Sequence, residues 1–285
     1  MRGKIFKGIG GFYYVAADGG GVIECRACGR FRKEHMIPMI GDEVVFEVKN
    51  GKGYVNEILP RRSKLKRPAV ANIDTIVIVV AAKSPEPNTA VIDKMLINAE
   101  INGITPIICI NKSDLADREE LIKLYRGIGY NAVVVSAEEK RGISELCELI
   151  DGKVAAFAGV SGVGKSSLLT LITGSELETG EVSEKISRGR HTTRHVELFA
   201  LNNGYVLDTP GFSSVEPEIT ADLDIAELFP EIGRFTGQCR FRGCKHIGEP
   251  DCAVKAAVKE GVIPESRYKI YTELTEIQRS MKEWK

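Results

Sequence analysis

A glycine-rich loop, Gly159-Val160-Ser161-Gly162-Val163-Gly164-Lys165-Ser166-Ser167, ends an apolar run at residues 154–159 and opens a helical stretch at 165–173. Ahead of it stands Asn111-Lys112-Ser113-Asp114, which closes another apolar run at 106–110. Behind it stands Asp208-Thr209-Pro210-Gly211, which closes a third at 205–208. Short Val/Ile-rich runs bounded by such turns read as buried parallel strands.

Each segment carries a recognisable chemistry. The glycine-rich loop fits G-x-x-x-x-G-K-[ST] without deviation. Glycines 159, 162 and 164 let the backbone approach phosphate oxygens, and the loop N–H groups with the helix N-terminus favour an anion. Lys165 is expected to reach the β- and γ-phosphates and Ser166 to bind Mg²⁺. Asp114 can accept both N1–H and the exocyclic NH₂ of guanine, a donor pair that adenine lacks. Asn111 would orient that loop and read the other purine edge, and Lys112 would lie over the base. Ser136-Ala137, after an apolar run at 131–135, fits a supporting guanine loop. Asp208 should hold Mg²⁺ through a water, and the Gly211 amide should sense the γ-phosphate. The base-reading segment precedes the phosphate loop, whereas an ordinary GTPase has the phosphate loop first. The set describes a circularly permuted GTPase.

Between them lies Gly189-Arg190-His191-Thr192-Thr193-Arg194, a switch-like segment that would supply a Mg²⁺-binding threonine, Thr193 or alternatively Thr192. Phe212 occupies the place where many GTPases carry a glutamine that orients water. His191 is the catalytic candidate, because imidazole accepts from water and titrates near neutrality. The other readings of His191 are an exposed loop residue or a contact to RNA phosphate beside Arg190 and Arg194.

Cys239-x4-Cys244-x-His246-x5-Cys252 offers three thiols and one imidazole, a closed tetrahedral set for one structural Zn²⁺. Arg240, Arg242 and Lys245 lie among the ligands and could offset the thiolate charge or face phosphate. The seven cysteines are an odd count and suit a reducing compartment, so the expected location is the cytoplasm. Cys25, Cys28, Cys109 and Cys147 read as structural positions rather than ligands.

The 285 residues allow two or three modest domains. Formal net charge is zero, so any nucleic acid must be held by local patches. Arg26, Arg30, Arg32, Lys33 and the connector at residues 61–67 form such a patch. Runs at 12–15, 22–25 and 44–48, separated by glycine turns, suggest a small β-barrel, with the OB-fold one candidate. From about residue 214 the chain turns polar and helical. It ends in a helix from about Pro264 whose Tyr268, Tyr271, Leu274, Ile277 and Met281 read as a packing stripe. No apolar run is long enough to span a membrane, and the N-terminus lacks a signal-peptide core.

Taken together, the rotated motif order, the Gly189–Thr193 segment, Asp208-Thr209-Pro210-Gly211-Phe212 and the zinc-ligand spacing resemble the ribosome small-subunit-dependent GTPase A family across essentially the whole chain. The resemblance implies an OB-fold at 1–65, a permuted α/β P-loop GTPase domain at 66–213 and a mainly helical zinc domain at 214–285. It also implies Mg²⁺-dependent GTP hydrolysis to GDP, stimulated by the 30S subunit, binding to that subunit's 16S rRNA, and a role in its late maturation. A monomer with no membrane partner is the expectation. Two other readings stay open at this point: a nucleic-acid module with a purely structural nucleotide, and a permuted GTPase whose target is not RNA.

Overall fold

The computed structural model describes residues 1–33, 36–65, 69–174, 197–209 and 216–283. Its N-terminal strands are β1 (Arg2–Ile9), β2 (Phe12–Ala17), β3 (Val22–Ala27), β4 (Glu43–Lys49) and β5 (Lys52–Ile58), with the short helix α1 (Gly29–Lys33) between β3 and β4. They close into a barrel in the order β1-β2-β3-β5-β4, with β3 and β5 parallel and the other pairs antiparallel. That order is the Greek-key closure of an OB-fold. Alternation along the strands sends Ile5, Val15, Cys25, Val44, Phe46 and Val55 inward to one core. Cys25 is thus a barrel-core position, as its apolar neighbours suggest.

A two-stranded ribbon, β6 (Lys64–Leu65) and β7 (Val70–Ala71), leads into the central sheet. The sheet contains β8 (Thr75–Ala81), β9 (Thr105–Asn111), β10 (Asn131–Val134), β11 (Val154–Ala158), β12 (Phe199–Leu201) and β13 (Gly204–Asp208), ordered β10-β9-β8-β11-β13-β12. Every residue of β8 is buried, so the Val/Ile run could only be an inner strand. Burying each such side chain contributes about 1.5–3 kcal/mol. Helices α2 (Thr89–Ile101), α3 (Glu119–Ile128), α4 (Ile143–Ile150) and α5 (Lys165–Thr173) follow successive strands and cover the two faces. The expected all-parallel sheet needs one correction: β12 pairs antiparallel with β13 at the edge. A three-residue strand joined to its partner by Asn202 and Asn203 is a tight hairpin, and its apolar run is too short to signal in sequence.

The C-terminal part holds a 3₁₀ turn at Ile225–Leu228 and helices α6 (Pro230–Gly233), α7 (Ala253–Lys259) and α8 (Glu265–Glu283). The stripe expected on α8 is displaced around the helix. Tyr271 and Leu274 are buried, but Ile277 and Met281 are 46% and 41% exposed. The buried face instead runs through Arg267, Tyr271, Leu274 and Gln278. Polar groups occupy both ends of that face because they have partners. Gln278 Nε2 donates to the Thr220 and Leu223 carbonyls at 2.8 and 2.7 Å. No helix among the described residues is long and apolar enough to cross a membrane.

Barrel and sheet are joined by backbone as well as side chains. Leu198 N–H donates to the Phe6 carbonyl at 2.9 Å, and Lys7 forms a bridge and a 2.7 Å ion pair with Glu197.

Candidate functional site

The strands β9, β10, β11 and β13 run in parallel, so their carboxyl ends bring four chain-distant segments to one edge of the sheet. Asn111 is the last residue of β9 and is 1% exposed. Its Nδ2 donates to the Val163 carbonyl at 2.9 Å, and its Oδ1 accepts from the Ala137 amide at 3.1 Å. One side-chain amide therefore ties together the base-reading loop, the phosphate loop and the Ser136-Ala137 loop. The sequence suggested a residue that orients its own loop; the structure extends that role to all three.

Asp114 receives a 2.5 Å hydrogen bond from Ser136 Oγ. That bond holds the Asp114 carboxyl below its ordinary range against some desolvation, with further help from its own backbone amide, Arg141 and Lys112. Ser136 is fully buried, and its Oγ also accepts from the Glu139 amide at 3.0 Å, which fixes the hydroxyl toward Asp114. Lys112 has φ +61°, an uncommon conformation for a residue with a Cβ. Its Nζ reaches the Ser84 carbonyl on the segment that follows β8.

The phosphate loop follows β11 and ends at the first turn of α5. Gly159 has φ +151°, and a Cβ there would stand 2.4 Å from the Val79 carbonyl oxygen. Gly164 has φ +93°, and a Cβ there would stand 2.3 Å from Asn111 Nδ2. The second clash explains why the knot at Asn111 needs a glycine opposite it. Lys165 Nζ donates to the Gly159 and Val160 carbonyls at 2.9 and 3.2 Å. An ammonium has a third donor for a phosphate oxygen. Asp208 ends β13 in register with Phe157 of β11, directly beside the phosphate loop. Thr209 is anchored beside it, with its amide and hydroxyl both donating to the Phe157 carbonyl.

Asn111, Lys112, Asp114, Ala137, Gly164, Ser166 and Ser167 line a single cleft of about 800 Å³. Glu138, Leu115, Thr170 and Leu171 also line it and were not singled out in sequence. Arg141 was missed as well. Its Nη2 donates to Ser113 Oγ at 3.2 Å, and its backbone pairs with that of Ser136. The only sequence signal for it was position, shortly after the supporting loop. His191, Thr192, Thr193, Gly211 and Phe212 lie outside the described residues.

At the other end of the chain, the ligating atoms of Cys239, Cys244, His246 and Cys252 lie within 4.8 Å of one another. Tetrahedral Zn²⁺ with Zn–S near 2.3 Å and Zn–N near 2.0 Å requires S···S of about 3.8 Å and S···N of about 3.5 Å. Cys239 and Cys252 Sγ are 3.8 Å apart, and His246 Nδ1 lies 3.4 Å from each. The four residues fit the metal in donor type and in spacing. The loop that presents them is built on α8: Tyr268 Oη donates to the His246 carbonyl at 2.6 Å and Tyr271 Oη to that of Lys245 at 2.9 Å. Glu249 closes the same loop by accepting from the Lys245 and Ile247 amides. Those amides bring its carboxyl down to about 2.

The basic patch is only partly available. Arg61 is committed to the buried Asp42 carboxylate, 2.7 Å from Oδ1, and cannot serve as a free cation. Arg26 lies over the Phe12 ring at 4.5 Å, and Arg30 donates to the Asn56 carbonyl. Arg240 pairs with the exposed Asp251, while Phe241 beside it is 44% exposed.

Comparison with known proteins covers the whole of this architecture. A family model described as RsgA GTPase matches residues 58–218, and one described as RsgA N-terminal domain matches residues 2–55. A small ribosomal subunit biogenesis GTPase RsgA from Caldanaerobacter subterraneus subsp. tengcongensis is 50% identical over 99% of this chain and 97% of its own length. Its namesake from Clostridium kluyveri is 46% identical over 99% of this chain and all of its own length. The crystal structure of YloQ, described as a circularly permuted GTPase, superposes with TM-score 0.81 at 39% identity, covering 98% and 95% of the two chains. The structure of YjeQ from Thermotoga maritima gives 0.79 at 37% identity, covering 96% and 97%.

Proposed function

The chain belongs to the RsgA GTPase family, and from that premise we propose that it acts in late maturation of the small (30S) ribosomal subunit. In this reading it binds that subunit's 16S rRNA and hydrolyses GTP to GDP and phosphate faster when the subunit is bound. The observation that carries the nucleotide half of the reading is the Asn111 knot, which makes one cleft from three loops. The names of the relatives support the ribosomal half.

The cleft divides the work by position. Asp114, kept ionised by Ser136, accepts from guanine N1–H and NH₂, while Asn111 and Lys112 flank the base and Ser113, Ser136 and Ala137 support it. Backbone amides of residues 159–167 cradle the phosphates, and Lys165 neutralises developing charge on the γ-phosphoryl oxygens. Ser166, Asp208 and Thr193, with Thr192 the alternative, would hold Mg²⁺, which would supply neutralisation of phosphate charge when bound. The Gly211 amide would sense the γ-phosphate. His191 would orient the attacking water, because Phe212 has no group to do so. Cys239, Cys244, His246 and Cys252 would hold one structural Zn²⁺, supported by the donor spacings above.

We place the domain borders at 1–65, 66–213 and 214–285, and assign RNA contact to the exposed basic residues of the barrel and zinc loop. A cytoplasmic monomer without a membrane partner completes the reading. GTP turnover with and without purified 30S subunits tests it. Acceleration is expected; an unchanged rate would remove the ribosomal assignment and leave a GTPase with another target.

A further inference from the structure

Helix α2 belongs to two cores at once. Met95, Leu96 and Ala99 pack under the central sheet, while Ile97 and Ile101 pack against Ile225, Phe229 and Tyr271 of the C-terminal part. Buried in that junction is the guanidinium of Arg267, with 0% exposure. Its Nε and Nη2 donate to Glu231 at 2.6 and 3.4 Å, within the zinc-bearing part. Its Nη1 donates to Asp93 Oδ1 on α2 at 3.2 Å. Asp93 also accepts from Tyr125 Oη of α3 at 3.2 Å. The guanidinium lies 4.7 Å from the Phe229 ring centroid and 5.9 Å from that of Tyr130. A planar fork fixes direction in a way that apolar contact does not.

The other end of the same helix reaches the nucleotide cleft. The segment entering α2 accepts Lys112 Nζ at the Ser84 carbonyl and Arg118 Nε at the Ala82 carbonyl. Its Pro85 also packs 3.8 Å from where a Cβ on Gly162 of the phosphate loop would stand. Asn88 then caps the helix by accepting from the Val91 amide at 3.3 Å. Five residues on, Asp93 meets Arg267.

We propose that Arg267 is a positioning residue that couples guanine-nucleotide occupancy to the zinc-bearing part through α2. This rests on the guanine-nucleotide reading of the cleft. A nucleotide that engages Lys112 and the phosphate loop changes what holds residues 82–88, and the Asp93–Arg267–Glu231 triad carries that change to α8 and the zinc loop. The coupling runs through α2, with Asp93 also held by Tyr125 of α3, and needs no contribution from the switch segment.

Amide hydrogen exchange across α8 and the zinc loop tests this, in the zinc-loaded protein with and without saturating GDP. Binding of GDP is measured separately by calorimetry. In the wild type, GDP slows exchange in α8 by roughly fivefold or more, the lower end of ordinary coupling between sites. In the triple variant Asp93→Leu, Glu231→Met, Arg267→Met, GDP still binds but α8 no longer responds. Replacing the whole triad avoids an orphaned buried charge. Should it fail to fold, Asp93→Asn removes the charge on α2 and leaves the Arg267–Glu231 pair intact, and it must weaken the response. The proposal is overturned if wild-type α8 ignores bound GDP, or if a folded variant responds as the wild type does. Absence of GDP binding in the calorimeter would overturn the reading of the cleft itself.

Discussion

Asn111 and Val163 are joined by a 2.9 Å hydrogen bond that makes the base-reading loop and the phosphate loop one body. The residues are far apart in the chain, so this bond closes a pocket that the rotated connectivity leaves open.

Asn111→Ala removes that bond and the acceptor for the Ala137 amide. Two neutral hydrogen bonds with a buried group left unpaired amount to about 2 kcal/mol, roughly thirtyfold in GDP affinity. Calorimetric titration with GDP measures it. Gly164→Ala should do more damage, because its Cβ would collide with Asn111 Nδ2 and its φ of +93° is unfavourable for alanine.

Asp114→Asn exchanges an acceptor for a donor at the position facing guanine C2. GTP affinity should fall about a hundredfold, the worth of one charge-assisted pair of about 3 kcal/mol. Xanthosine triphosphate, which carries a carbonyl at C2, should bind better than GTP. Competition between the two triphosphates gives the answer directly.

Ser136→Ala should change the pH dependence of binding. In the proposed reading nucleotide recognition uses ionised Asp114, and the Ser136 hydroxyl lowers its pKa from the usual 3.8. A depressed carboxylate stays ionised, and its binding contribution survives, until pH falls through the lowered value. Without the hydroxyl the acid limb of GDP affinity should move to higher pH. GDP dissociation constants for both proteins across the acidic range decide it; coincident limbs would dismiss the role of Ser136.

Removing zinc should unfold the C-terminal part selectively. Cys252 is the N-cap residue of α7, and the ligand loop is carried by Tyr268 and Tyr271 of α8. Structural zinc sites supply about 10–16 kcal/mol of apparent binding energy at neutral pH. Chelation or Cys252→Ser should abolish bound zinc in elemental analysis and lower helical circular dichroism, with GDP still bound but several-fold more weakly, as the reciprocity of the proposed coupling requires. Acidification should release the metal too, because thiolates and imidazole must shed protons to bind it.

How much of this was legible depended on whether a residue's role is local. The loops at 111–114 and 159–167 announce themselves because phosphate and guanine chemistry demand fixed residues at fixed spacing. The Cys239, Cys244, His246 and Cys252 cluster does so because a tetrahedral metal site likewise demands fixed donors at short spacing. Arg267 and Glu231 carry no such mark: a charged residue on a helix reads as solvent-facing, and only the tertiary arrangement supplies its partner. The α8 stripe went astray for that reason, with apolar Ile277 and Met281 outside and Arg267 and Gln278 inside. Strands β1 and β5 were missed because their lysines and glycines interrupt the alternation that barrel closure completes. Arg61 reads in sequence as part of a basic patch, but the buried Asp42 that engages it is remote in the chain and gives no local sign.

The stitch between Leu198 and Phe6 bears on how the chain can be dissected. A fragment trimmed of residues 1–65 would lay bare the amide of Leu198 and its neighbour Glu197, lengthening the open border that β12 already forms. Such bare borders recruit other chains, so the shortened protein should clump where the intact one stays dispersed. The barrel thus works as a sheath for its neighbour as well as a surface in its own right.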